Sequence, residues 1–109
     1  MKTALQPNET LIREGAANLK KGIESVGGKL FLTDQRLVFE SHALNVQSGT
    51  TVIPLIDIAA INLCWTKFLN SIPLMPNSLA IKTSDGLEHR LVLFGRSRWK
   101  IDIEKHLPR

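Results

Sequence analysis

The chain has 109 residues, 43% of them apolar and 22% charged, with a formal net charge of +4 and one cysteine. That length and apolar content fit one compact domain spanning residues 1–109, and a lone cysteine excludes an internal disulfide or dependence on an oxidising compartment. At about 1 kcal/mol per cation near an anionic surface, four excess charges sum to roughly 4 kcal/mol, a millimolar affinity, so charge alone would not hold the chain on a membrane.

Taken in order, Met1 to Glu9 has no apolar core and does not read as a secretory signal. Leu11 to Leu19 is a plausible first strand, broken by Gly15, and Lys20-Lys21-Gly22 makes a basic turn. Ile23 to Val26 follows as a short irregular strand. The double glycine Gly27-Gly28 is expected where the chain turns sharply into a sheet. Lys29 to Thr33 and Arg36 to Ser41 then flank a four-residue polar break, Thr33 to Arg36, and together read as a β-hairpin. Here Asp34 is expected to hydrogen-bond the turn backbone, and the stem of Arg36 to pack along the sheet. His42 to Gly49 is a loop.

Thr51 to Leu55 is rich in β-branched residues, and Pro54 argues for an edge position or a strand end. Asp57 is a turn-former before a longer strand reaching Trp65, in which Cys64 reads as a small buried hydrophobe. Lys67 to Asn77 stands where a polar loop would be ordinary, yet it carries five large apolar residues and two prolines. These either fold back over the core or form an exposed patch of Phe68, Leu69, Ile72, Leu74 and Met75 that meets a partner, a second copy or a bilayer. Ser78 to Thr83 alternates, with Leu79 and Ile81 on one side. Asp85-Gly86 signals a two-residue hairpin turn into Leu87 to Phe94, which places His89 with Leu91 and Leu93. Gly95 stops that strand and Ser97 is expected to cap a helix. Trp99, Ile103 and Leu107 form one stripe of that helix, which runs to about His106 and is ended by Pro108. Trp99 is large enough to plug one open end of a barrel.

The pattern is mainly β, about seven strands and one C-terminal helix, and by itself fits several small helix-capped barrels. Reaction chemistry finds little support. His42, His89 and His106 fall in a loop, a strand and a helix end, without metal-ligand spacing. The glycine pair precedes a strand rather than a phosphate-binding helix, and no serine stands in a nucleophile elbow. No enzyme activity, metal or cofactor is therefore expected. Val52 to Trp65, the longest apolar stretch, contains Pro54, Asp57 and Asn62 and falls short of about 20 residues for a span, so a cytoplasmic, soluble chain is expected. Phe31 and Phe39 lie in apolar runs rather than among basic residues, which argues against nucleic acid.

Three segments resemble the GRAM domain, a branch of the pleckstrin-homology-like folds. The run Gly28-Lys29-Leu30-Phe31-Leu32-Thr33-Asp34-Gln35-Arg36-Leu37-Val38-Phe39 is similar to its signature of glycine, aromatic or aliphatic residues, leucine, threonine, two polar residues, arginine and apolar residues. Thr51-Val52-Ile53-Pro54-Leu55-Ile56-Asp57-Ile58 resembles its second motif, residues 77–86 its third, and Trp99 falls in its terminal helix. The match covers roughly Asn18 to Leu107. It implies a partly open barrel of about seven antiparallel strands capped by a C-terminal α-helix, in a small stand-alone protein of bacterial type. It further implies a non-enzymatic adaptor that recruits a protein partner or self-assembles, in one version at the inner face of a membrane. The alternative is peripheral binding to anionic lipid headgroups through Lys20, Lys21, Lys29 and Arg36 together with the apolar segment. The usual phosphate-binding pattern of a lysine followed by two spaced basic residues is missing, because Lys29 is followed by Leu30, Phe31 and Leu32.

Overall fold

The computed structural model describes residues 1–21, 24–42, 49–68 and 72–108, without the side chains of residues 21, 24, 65–68 and 72–77. Seven strands come first: β1 (Leu11–Lys21), β2 (Glu24–Thr33), β3 (Arg36–Ser41), β4 (Thr50–Pro54), β5 (Ile58–Phe68), β6 (Ile72–Thr83) and β7 (Glu88–Leu93). A 3-10 turn, Leu55–Asp57, joins β4 to β5, and helix α1 (Arg96–Lys105) ends the fold. All strand pairs are antiparallel, and the order across the sheet is β4-β3-β2-β1-β7-β6-β5. The sheet is not closed, so β4 and β5 are its two edges. This is the mainly β architecture with one C-terminal helix that the sequence leads one to expect. Pro54 ends the edge strand β4, where its missing N–H leaves no gap inside the sheet.

Period-two alternation builds the core. Ala17 and Leu19 of β1, Leu30 and Leu32 of β2, Leu37 and Phe39 of β3, and Leu79, Ile81, Leu91 and Leu93 of β6 and β7 share one buried face. Trp99 and Ile103 of α1 join them, and Leu107 packs against the cluster. The indole is only 3% exposed, so Trp99 does seal the concave side. Arg13 of β1 lies over that ring, 5.4 Å from its centroid, and its Nε donates to Asp102 Oδ2 at 2.7 Å. Helix and first strand are thus fixed by an apolar plug with a polar clasp beside it.

Five local expectations are corrected. Gly27 and Gly28 lie inside a continuous β2 and form no turn; neither has positive φ. Their requirement is space. A Cβ on Gly28 would stand 2.3 Å from the Glu40 carbonyl oxygen and 2.7 Å from Phe39 Cζ, too close for any side chain. We expect Gly28→Ala to destabilise by at least the 1–3 kcal/mol typical of overpacking, read as a lower urea midpoint at unchanged m. The segment 67–77 is no loop at its ends: β5 reaches Phe68 and β6 starts at Ile72, paired as Lys67↔Pro73 and Phe68↔Ile72. Both prolines of β6 are tolerated because β7 pairs with β6 only from Ser78 onward, leaving the earlier residues one unpaired side. Ser97 does not cap α1. Gly95 occupies the N-cap in a left-handed conformation, φ 69°, and no side chain caps the first turn. Finally, the β6–β7 turn spans three residues, because Thr83 N still donates to Leu87 O and Gly86 takes φ 89° after Asp85. Cys64 is half-buried rather than enclosed.

Candidate functional site

Sequence reasoning grouped Arg36 with Lys20, Lys21 and Lys29 as anion ligands, and the structure takes it out of that group. Residues 1–10 lie as a strap over the outer face of β2 and β3. Arg36 is 8% exposed, its Nε donates to Glu9 Oε2 at 2.7 Å, and its Nη2 donates to Ala4 O at 2.7 Å. Glu9 has no exposed side-chain surface and also accepts from the Thr33 hydroxyl at 2.6 Å and the Gln6 amide at 2.7 Å. The Arg36 guanidinium, helped by those two donors and opposed by burial, lowers the Glu9 carboxyl pKa to about 2. The same contact raises the guanidinium of Arg36. Glu40 ties down the start of the strap, accepting from the Lys2 amide at 3.0 Å and from the Thr3 amide and hydroxyl at 2.6 and 2.7 Å. Burial pushes the Glu40 carboxyl up, but those donors outweigh it and hold it below its ordinary value. Phe31 and Val38 alternate away from the core and are nevertheless buried beneath this face. Nothing in residues 1–10 alone announces the strap, since its anchor is one acidic side chain in a polar run.

Asp34 does not bond its own turn as expected: it accepts from the Thr10 amide at 2.9 Å, and the turn backbone is held by the Thr33 hydroxyl, which accepts from the Gln35 and Arg36 amides at 3.1 and 3.0 Å. Lys29 is exposed on the same outer face, 3.4 Å from Glu14 and 5.8 Å from the centroid of the Phe31 ring. Lys20 is exposed at the far end of β1, and Lys21 closes that strand; its side chain lies outside the described residues. Without Arg36, three lysines contribute about 3 kcal/mol to any anionic surface, short of millimolar affinity.

The antiparallel topology sends the β1–β2, β3–β4 and β6–β7 connections to one end of the sheet and the β2–β3 and β5–β6 connections to the other. The register Ser78↔Val92 leaves residues 72–77 of β6 beyond the end of β7, paired only with β5. At about 3.3 Å per residue this two-stranded arm extends roughly 20 Å past the neighbouring strand. Phe68 lies in β5, and Ile72, Leu74 and Met75 in β6, with side chains outside the described residues, as is Leu69 altogether.

Sequence reasoning overlooked a shallow groove where β7 ends, beside the base of this arm. Its volume is about 240 Å³, and Ala16, Asn18, Gly27, His42, Val92 and Phe94 line it. Ala16, Asn18 and Gly27 lack bulk, which opens the floor; Phe94, 90% exposed, stands at the rim. A run of small residues on β1 opposite the glycine pair was the available signal. At the opposite end Asp57, Asp85 and His89 border a second hollow. There the Thr83 hydroxyl and the Leu87 amide hold the Asp85 carboxyl below its ordinary value, a turn-forming role. Among the described residues no group of three His, Cys, Asp or Glu side chains could hold a metal ion, and no helix is long and apolar enough to cross a membrane.

The family model of the GRAM domain matches residues 1–97. Among solved structures, the C-terminal domain of an unknown protein from Leishmania infantum superposes with a TM-score of 0.73 at 20% identity, covering 93% of this chain and 86% of that one. The Vps36 N-terminal PH domain gives 0.71 at 22% identity, over 95% and 83% respectively. At such identities the likeness is one of fold. No curated protein matches the chain.

Proposed function

Because this chain belongs to the GRAM domain family, whose members and PH-like relatives are generally non-catalytic modules for lipids or proteins, we propose that it binds a protein partner. The observation behind this reading is that the β5–β6 arm extends beyond the end of β7, the strand end at which Phe94 stands at the rim of the groove. A two-stranded ribbon is marginal alone in water, so an arm rich in Phe68, Leu69, Ile72, Leu74 and Met75 gains by being covered. Each such side chain buried contributes about 1.5–3 kcal/mol, and two exceed the whole lysine contribution. The partner is therefore engaged mainly through apolar contact, while Lys20 and Lys21 lie at the opposite end of the sheet.

Affinity capture from the source cell, followed by titration of the purified partner, tests this. The double variant Phe68→Ser/Leu74→Ser is expected to weaken binding at least tenfold while its melting temperature stays within a few degrees of the wild type. Retained affinity in a folded variant would refute the arm as the contact. The alternative, an anionic membrane surface, draws on Lys20 and Lys21, which lie at the opposite end of the sheet from the arm and so form a separate contact. It would appear as sedimentation with phosphatidylserine vesicles that fades steeply between low and physiological salt.

A further inference from the structure

We infer that the free edge of β5 pairs with the same edge of a second copy, antiparallel about a two-fold axis at Ile61. This goes beyond the partner reading above, and uses the side of the sheet rather than its end. The two edges differ in how they are guarded. β4 has five residues and ends in Pro54, whereas β5 has eleven and carries no charge and no proline from Ile58 to Thr66. Long, uncharged, apolar edges are normally blunted by lysine, proline or a covering element, because their unpaired N–H and C=O groups template another strand. Part of β5 is blunted: Arg96 Nη1 donates to the outward-facing Cys64 carbonyl at 2.6 Å. The register with β6 shifts between Ile58 and Ala60 and again between Cys64 and Thr66, but is regular from Ala60 to Cys64, so within that stretch alternation makes Asn62 and Ala60 the next outward-facing groups. Asn62 and Ala59 are exposed and Leu63 is 42% exposed, so this stretch is open to approach.

An occupant of this edge must itself be an uncharged strand with outward groups at the same spacing, and β5 meets that description. Placing the axis at Ile61 sets Ala60 opposite Asn62 of the second copy and Asn62 opposite its Ala60. Each pair then exchanges two main-chain hydrogen bonds, as residues in the narrow pairs of an antiparallel ladder do. Charge favours the same place. A chain of net charge +4 repels a second copy over most of its surface, and the strip from Ile58 to Thr66 carries no charge. Isologous pairing closes after two copies, whereas joining β4 of one copy to β5 of the next would continue without end.

Sedimentation velocity over a concentration series tests the inference. The expected mass rises from 12.2 kDa toward twice that value as concentration increases. Asn62→Pro removes an outward N–H that the domain itself does not use, and is expected to hold the chain at the monomer mass; Asn62→Thr keeps the N–H and the dimer. Should the proline variant fold poorly, amide exchange of the unaltered protein reads the same edge. The Ala60 and Asn62 amides are expected to slow as concentration rises. A wild type that stays monomeric at its solubility limit, a folded Asn62→Pro that still dimerises, or exchange at these amides that ignores concentration would each overturn the pairing.

Discussion

Glu9→Ala is expected to lower the unfolding free energy by about 3 kcal/mol, at the low end of what breaking a buried ion pair costs. The substitution leaves the Arg36 guanidinium, 8% exposed, facing the Ala4 carbonyl without its carboxylate. The low end applies because the strap can peel away and give Arg36 back to water, which caps the loss at the free energy of strap docking. Arg36→Met should cost somewhat less, since Glu9 keeps the Thr33 hydroxyl and the Gln6 amide. Combining Glu9→Leu with Arg36→Met removes both charges and should cost clearly less than the two single changes together. Urea titrations of the four proteins measure the coupling; strictly additive losses would show that the pair does not act as a unit.

The same pair makes stability depend on acid. Glu9 titrates near 4.5 when unfolded and is lowered to about 2 in the folded chain, so the unfolded state binds more protons between those values. Its contribution is complete above about pH 4.5 and disappears as pH falls through 2. Glu40, also lowered, acts in the same sense. Glu9→Gln should therefore lose less stability than the wild type between pH 4.5 and 2, while being the less stable of the two at neutral pH.

What could be read from the residues alone follows from how local each signal is. The Thr33 to Arg36 turn, the Asp85-Gly86 turn and the Trp99, Ile103, Leu107 stripe depend on neighbours a few positions away, and these appear where expected. Gly27-Gly28 was misread because a glycine pair has two physical uses, turning and close approach, and only the position of the Glu40 carbonyl decides between them. The arm was taken for a loop because Pro73 and Pro76 argue against a strand; their tolerance depends on β7 having already ended, a fact of register. Arg36 looked like a ligand because its partner, Glu9, lies twenty-seven positions away in a segment with no periodicity. The groove was invisible for the same reason: Ala16, Gly27 and Phe94 meet only once β1 is paired on both sides.

Trp99→Ala is the second large effect expected, a loss of about 3–5 kcal/mol, as for other buried aromatic truncations. In a domain holding about 5–15 kcal/mol in all, that is a substantial share of the margin. The magnitude follows from where the indole lies: it is 3% exposed, and a Cβ placed on Gly15 would stand 3.4 Å from its Cζ2, so β1 has no side chain able to fill the void. The polar contacts of α1 cannot compensate. Arg13–Asp102 is partly exposed and contributes about 1 kcal/mol or less, and Lys100–Glu104 is a surface i,i+4 pair contributing a few tenths. Arg13 would also lose the ring beneath its guanidinium. Trp99→Phe should recover part of the loss by refilling some of the volume. Amide exchange should show α1 opening first in the alanine variant, ahead of β1 to β3, because Ile103 is then its main buried anchor. A loss below about 1 kcal/mol would mean that the sheet closes on itself without the helix, and that the plug is not what holds the concave side together.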